Sequence, residues 1–196
     1  MGDFTFIRAV SLTLKALLED HITNSSDAQL NGVPIDLRTP KELREAGNLQ
    51  AISLWLYRVA RNADLYSRPN ERPQIDQVAR RALPLDLYYL VTPLRREPEA
   101  EQMLLGRVMQ TFHDHALLTA ADFRDSLAGQ NGELRLTLEM LTLEETTRVW
   151  TALAEPYQLS VTYNVQAVTI DSDHAPVQGS PVVVRQAAYK HIVSVT

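Results

Sequence analysis

Residues 133–140 read ELRLTLEM and residues 157–165 read YQLSVTYNV, with a helix signal between them. In the first run Leu134, Leu136, Leu138 and Met140 alternate with Glu133, Arg135, Thr137 and Glu139. Period-2 alternation of this kind predicts a strand with one face on a core and one in water. Thr142 followed by Glu145 is a capping-box signature opening a helix that carries Val149, Trp150 and Leu153, and Pro156 follows it. Tyr157, Leu159, Val161, Tyr163 and Val165 alternate again and predict a long second strand. The strand–helix–strand order fits a crossover unit, which makes the chain a mixture of strands and helices rather than a bundle.

Working upstream, residues 84–91 (PLDLYYLV) and 51–59 (AISLWLYRV) are apolar at nearly every position. Such runs are expected of strands covered on both faces. Pro93 is read as the stop of the strand at 84–91, because proline removes a ladder donor. Between them, residues 62–82 form a long polar stretch with Pro69 and Pro73. A connection of that length inside a compact domain is unusual, and is more often a functional arm or a disordered loop. After Pro93, Pro98 with Glu97, Glu99 and Glu101 places a proline and acids at a helix start. Leu104, Leu105, Val108, Met109 and Phe112 give that helix its apolar face, and Gly106 is read as allowing close approach to the sheet. A short helix is expected from Ala120 to Leu127, stopped at Gly129.

At the amino end, Ile7, Val10, Leu14, Leu17 and Leu18 recur at helical spacing behind Asp3 as N-cap, and the helix fades in the polar run 23–27. Val33, Ile35 and Leu37 alternate, but Pro34 demotes them to an edge strand. At the carboxyl end residues 182–195 read as strand after a loop holding Pro176, Gly179 and Pro181. The whole is expected to be α+β, one domain over 1–196 with a C-terminal strand or arm at 181–196. Its sheet is mixed or mainly antiparallel, of about five to six strands, with three to four helices packed on it. Trp55, Trp150 and Tyr163 are read as packing anchors.

Composition narrows the function. The 196 residues include no cysteine, which removes disulfides, Cys-based zinc sites and a thiol nucleophile together. The formal net charge is −5, a poor starting point for nucleic-acid binding. No apolar stretch approaches the length of a membrane span, and the amino terminus does not read as a secretory signal. A cytoplasmic place of synthesis and assembly is therefore expected.

Reaction chemistry is sparse. His113 and His115 lie two apart on a helix and so point roughly 200° from each other, which suits cations at a helix end better than one metal. His174 with Asp171 and Asp173 lacks the glycine turn and distant glutamate of a calcium loop and reads as a solvated acidic turn. No phosphate loop, nucleophile elbow or paired-histidine zinc motif is present. No cofactor or metal is expected. Arginines at 58, 61, 68, 72, 80 and 81 are dense, with Tyr57 and Tyr66 among them. With a net negative chain, a solvated basic face, or one that docks on an acidic partner, fits them better than a nucleic-acid footprint.

Four stretches, taken in order, carry a resemblance. They are Leu56-Tyr57-Arg58-Val59 with Asn62; Pro84-Leu85-Asp86-Leu87-Tyr88-Tyr89-Leu90; Glu101 through Leu104-Leu105-Gly106-Arg107 to Phe112-His113-Asp114; and Glu133-Leu134-Arg135-Leu136 with Glu144-Glu145, Trp150, Tyr157-Gln158-Leu159-Ser160-Val161 and Tyr163. Over residues 5–172 the chain resembles the N-terminal domain of tail-terminator, or cap, proteins of phage-tail-like contractile injection systems, of the antifeeding-prophage and virulence-cassette type. The family's small loop after the first strand pair is longer and more arginine-rich here. The resemblance implies a structural, non-enzymatic subunit of a six-membered ring that ends the inner tube and joins the last sheath ring to it. The implied partners are other copies of the chain, a tube protein and a sheath protein, in a particle that can leave the cell. Candidate contacts are Arg58, Arg61, Arg68 and Arg72, with Val182, Val183 and Val184 adding as a strand to a neighbour's sheet. Two other readings stand beside it: an adaptor that binds an effector for loading, and a metal-dependent hydrolase using His113, His115 or His174.

Overall fold

Every strand predicted between residues 51 and 165 joins one sheet in the computed structural model, which describes residues 3–66, 77–78, 82–172 and 177–178. The chain runs α1 (Phe6–Leu18), a π turn (Glu19–Thr23), β1 (Ile35–Asp36), α2 (Pro40–Glu45), β2 (Ala51–Arg61), α3 (Ala63–Tyr66), β3 (Gln77–Val78) and β4 (Leu83–Leu94). It continues with α4 (Pro98–Asp114), β5 (Leu117–Leu118), a 3₁₀ turn (Asp125–Leu127), β6 (Leu134–Glu139), α5 (Leu143–Ala152), β7 (Val161–Ile170) and β8 (Val177–Gln178). The main sheet has the order β1-β2-β4-β7-β6-β5; β1 runs parallel to β2 and the other pairs are antiparallel. The expected α+β class and mixed sheet are what forms. A separate two-stranded ladder pairs β3 with β8.

Pleat alternation divides the core between the two faces of the sheet. One face carries Ile52, Leu54, Leu85, Leu87, Tyr89, Val91, Tyr163, Val165, Leu134 and Leu136 against α1 (Val10, Leu14, Leu17) and α4 (Leu104, Val108, Phe112). Tyr89 puts its hydroxyl into this core and satisfies it on Ser11 Oγ at 2.8 Å, while burial pushes its pKa well above the usual phenol value. The other face is covered over half its extent. There α5 lays Trp150 and Leu153 on Leu90, flanked by Trp55 and Tyr57, and α2 closes Leu43 over Ala51 and Leu94. Trp150 and Tyr163 are buried anchors as expected, whereas Trp55 is only half-buried.

Several expectations give way to tertiary context. Pro93 lies inside β4, opposite Ile52, where the ladder with β7 has already ended at Val91↔Val161, so its missing N–H costs no pairing. The strand run at 51–59 is buried on both faces only through Leu54 and then becomes progressively exposed. The unit at 133–165 is not a crossover: β6 and β7 are antiparallel neighbours, with α5 inserted in their connection. Residues 157–160 stay outside the sheet because Ser160 Oγ accepts the Trp150 indole N–H, and β7 starts at Val161. Leu138 and Met140 point past the edge of α1 and α4 into solvent, Met140 at 90% exposure. The helix expected over 120–127 is a single 3₁₀ turn. The N-cap position of α1 is Thr5, and Asp3 instead accepts the Thr5 N–H at 2.8 Å. Two helices lie outside the sequence expectation: α2, which opens with a complete capping box between Thr39 and Glu42, and α3, a single turn at Ala63–Tyr66 inside the stretch read as a polar connection. The strand expected at 182–195 lies outside the described residues.

Gly106 corrects a further expectation. It sits on the exposed side of α4, and a Cβ built there meets nothing within 4 Å. It does not mediate close packing, so its backbone freedom is a net loss in a helix interior. Gly106→Ala is expected to raise stability by about 0.5–1 kcal/mol, read from the urea midpoint.

Candidate functional site

Of the predicted arginines, Arg58 lies on the second sheet face beyond the part covered by α5 and α2, while Arg61, opposite Leu85, lies on the first face at the end of β2. A register shift between Leu56 and Arg58 makes Tyr57 the extra residue of a bulge and pairs Arg58 with Tyr88 across β4. Bulges increase local twist and re-aim side chains. Here the Arg58 guanidinium carbon sits 4.8 Å from the centroid of the Tyr88 ring, and Tyr57 meets Tyr88 edge-on at 6.3 Å. Three positions on, Arg61 lies 4.5 Å from the ring of Tyr66 on α3. The turn into α3 is fixed by Asn62, whose Oδ1 accepts the Leu65 N–H at 2.8 Å while its Nδ2 donates to Asp86 at 2.8 Å. Both guanidinium groups thus lie over aromatic rings, positioned but still charged, which suits docking on another protein surface. Burial raises the pKa values of Tyr57 and Tyr88, so both phenols stay neutral donors at physiological pH. Arg68, Arg72, Val182, Val183 and Val184 lie outside the described residues.

The histidines assemble differently from the sequence expectation. His113 is exposed on the last turn of α4. His115 meets His21, brought in by the π turn that ends α1; the ring centroids are 4.7 Å apart and the Nε2 atoms 3.4 Å apart. His115 Nδ1 lies 3.0 Å from the Thr111 carbonyl oxygen, so that nitrogen carries a proton. His174 lies outside the described residues. Among the described residues no group of three histidine, cysteine, aspartate or glutamate side chains could hold a metal ion.

The pair makes the fold sensitive to mild acid. Partial burial, then the charges of His115 and Arg107, depress the His21 pKa below its ordinary 6.5, while Asp20 and Asp114 oppose the shift. Between the native and unfolded pKa values the unfolded chain binds more protons, so stability rises with pH in that window. It is complete above pH 6.5 and is lost as the pH falls from there through the native value. Carboxylates held low, Asp36 by Arg38, Glu42 by the Thr39 N–H and Glu145 by the Thr142 N–H, act only in a more acidic range. Melting curves between pH 7 and 5 should therefore show a decline that His21→Gln flattens; an unchanged slope in the variant would contradict the assignment.

A cleft of about 600 Å³ opens beside the start of α4, lined by Asn31, Gln50, Arg95, Glu97, Glu99 and Met103 among others. It brings together no nucleophile–base pair. No helix among the described residues is long and apolar enough to cross a membrane.

Known proteins give a consistent picture. The model of the Pvc16 N-terminal domain family matches residues 9–184. The sheath/tube terminator of the PVC extracellular contractile injection system, in its extended state, superposes with a TM-score of 0.63 at 17% identity, over 100% of this chain and 67% of that one. The tube-terminating cap of the anti-feeding prophage superposes with a TM-score of 0.61 at 17% identity, over 92% of this chain and 60% of that one. At such identity the likeness is one of fold. No curated protein matches the chain.

Proposed function

The chain belongs to the Pvc16 N-terminal domain family, and on that premise we propose that it is a structural terminator subunit, closing the tube and sheath of a contractile injection particle. The observation that carries this reading is the family match over residues 9–184, together with the fold of a sheath/tube terminator over the whole chain. The chain spans about two thirds of that terminator's length and 60% of the anti-feeding prophage cap, so its role as a complete cap is part of the proposal.

In this reading the subunit is non-enzymatic and takes its place in a ring, with six copies as the expected number. Its partners are the last tube and sheath subunits of the same particle. The ring is built in the cytoplasm and leaves the cell as part of the particle. Residues 1–196 act as one domain that ends in a strand or arm at 181–196. The end of β2 that carries Arg58 and Arg61 on its two faces is the surface offered to a partner, because oriented cations on aromatic rings contribute specificity at modest desolvation cost. The net charge of −5 favours protein partners over nucleic acid.

Adding the purified protein to polymerising tube subunits tests the reading. Growth should stop, with the protein at one tube end by electron microscopy. Tubes of unchanged length that sediment without it would overturn the reading.

A further inference from the structure

We propose that the outer edge of β2, from Leu56 to Arg61, is the acceptor for residues 181–196 of a second copy of the chain, which add to the sheet as a strand. The proposal rests on the ring-subunit reading above and names the surface through which one copy holds the next.

The edge is long and its donors point outward. β1 pairs with only Ile52 and Ser53, so among the described residues β2 has no outer strand partner beyond Ser53. The Ile52 N–H is directed outward, donating to the Pro34 carbonyl at 2.9 Å, and Pro93 opposite it has no N–H to return. Alternation turns the N–H groups of Leu54 and Leu56 outward as well; the parallel Asp36↔Ser53 pairing takes up that of Leu54, so Leu56 is the first left open. The bulge at Tyr57 resets the phase. Asn62 donates inward to the Pro84 carbonyl at 3.0 Å, so Ala60 and Arg58 face β4 while Val59 and Arg61 face out. At about 3.3 Å per residue this edge runs for roughly 20 Å, a template of the kind that proteins otherwise shield or pair.

The occupant is written in the sequence. After β8 the chain continues GSPVVVRQAAYKHIVSVT over residues 179–196, rich in β-branched residues and free of acids. Fully extended it would reach about 50 Å, more than the edge needs. Half-buried Trp55 and Tyr57 and 46%-exposed Val59 flank the edge with apolar surface for such a strand. Arg185 and Lys190 bring like charge towards Arg58 and Arg61, but those two already lie on Tyr88 and Tyr66 at the solvent rim, where screened repulsion is small. Giving a strand to one neighbour and receiving one from the other is a heterologous contact, which generates a ring when its rotation closes.

The cysteine-free chain allows a direct test. Val59→Cys is combined with a second cysteine at 182, 183 and 184 in turn, in particles from a producer strain, followed by oxidation and a non-reducing gel. A ladder of covalent multimers is expected from at least one pair, and none from Val59→Cys alone. Monomer bands throughout would overturn the proposal; an internal disulfide would mean that the segment covers the edge of its own chain. In a second arm, Val59→Pro removes one outward donor without touching the β2–β4 ladder, and should abolish ring closure while leaving the melting temperature within a few degrees. Rings that form normally with Val59→Pro would count against the edge. Particles that stay capped at fixed length without multimers would sink this proposal and leave the terminator reading standing.

Discussion

Trp150→Ala is expected to lower the unfolding free energy by about 3–5 kcal/mol. The indole is fully enclosed, resting on Leu90 and Leu153 with Trp55, Tyr57 and Val149 around it, and its N–H donates to Ser160 Oγ at 3.2 Å. Trp150 is the largest of the α5 contacts with the second sheet face; Leu153 and Val149 add smaller ones, and Leu143 at the start of the helix is 71% exposed. Truncation therefore leaves a cavity that a ten-residue helix on a half-covered face cannot collapse into, and unties the 157–160 segment that the indole holds. Against a typical total of about 5–15 kcal/mol, a loss of this size removes a large share of stability. Chemical denaturation measures it; a loss below about 1 kcal/mol would mean that α5 is not an integral layer of the fold.

Phe112→Ala should cost a similar amount, about 3–5 kcal/mol, on the opposite face. Phe112 is buried in the last turns of α4 and meets Tyr163 edge-on, with ring centroids 4.7 Å apart at 75°. That geometry adds to the burial of both rings. Since the sheet separates Phe112 from Trp150, the double variant should lose close to the sum of the single losses. A strongly sub-additive result would mean that one substitution already melts the layer containing the other.

Local signals carried most of the elements. The capping box at Thr142 and Glu145, the proline–acid start at Pro98 and the alternation at 134–139 each name their element without help from the rest of the fold. What escaped depends on neighbours. The Thr39–Glu42 capping box is as clear as the one at Thr142, but α2 is one turn and a half with Leu43 as its buried apolar residue, too short for a periodic stripe. Pro93 misled because proline stops a strand only on the side that still has a partner. Leu138 and Met140 keep the alternation of a core face in a place that α1 and α4 do not reach.

The candidate site was legible in residue type and not in arrangement. Arg58 and Arg61 stood out by density, but the bulge that stacks Arg58 on Tyr88 is a property of the β2–β4 register. His21 and His115 are far apart in sequence and meet only because α1 ends in a π turn beside the end of α4. The net charge and the lack of cysteine bounded the function from the start; the family match over residues 9–184 gives it content.

The most direct test of the terminator reading is electron microscopy of particles from a producer strain lacking this gene. The account predicts sheathed tails of uncontrolled length, or bare tubes without a cap, restored to fixed length when the chain is supplied again. Capped particles of normal length, empty of cargo or not, would contradict it and turn attention to an adaptor role.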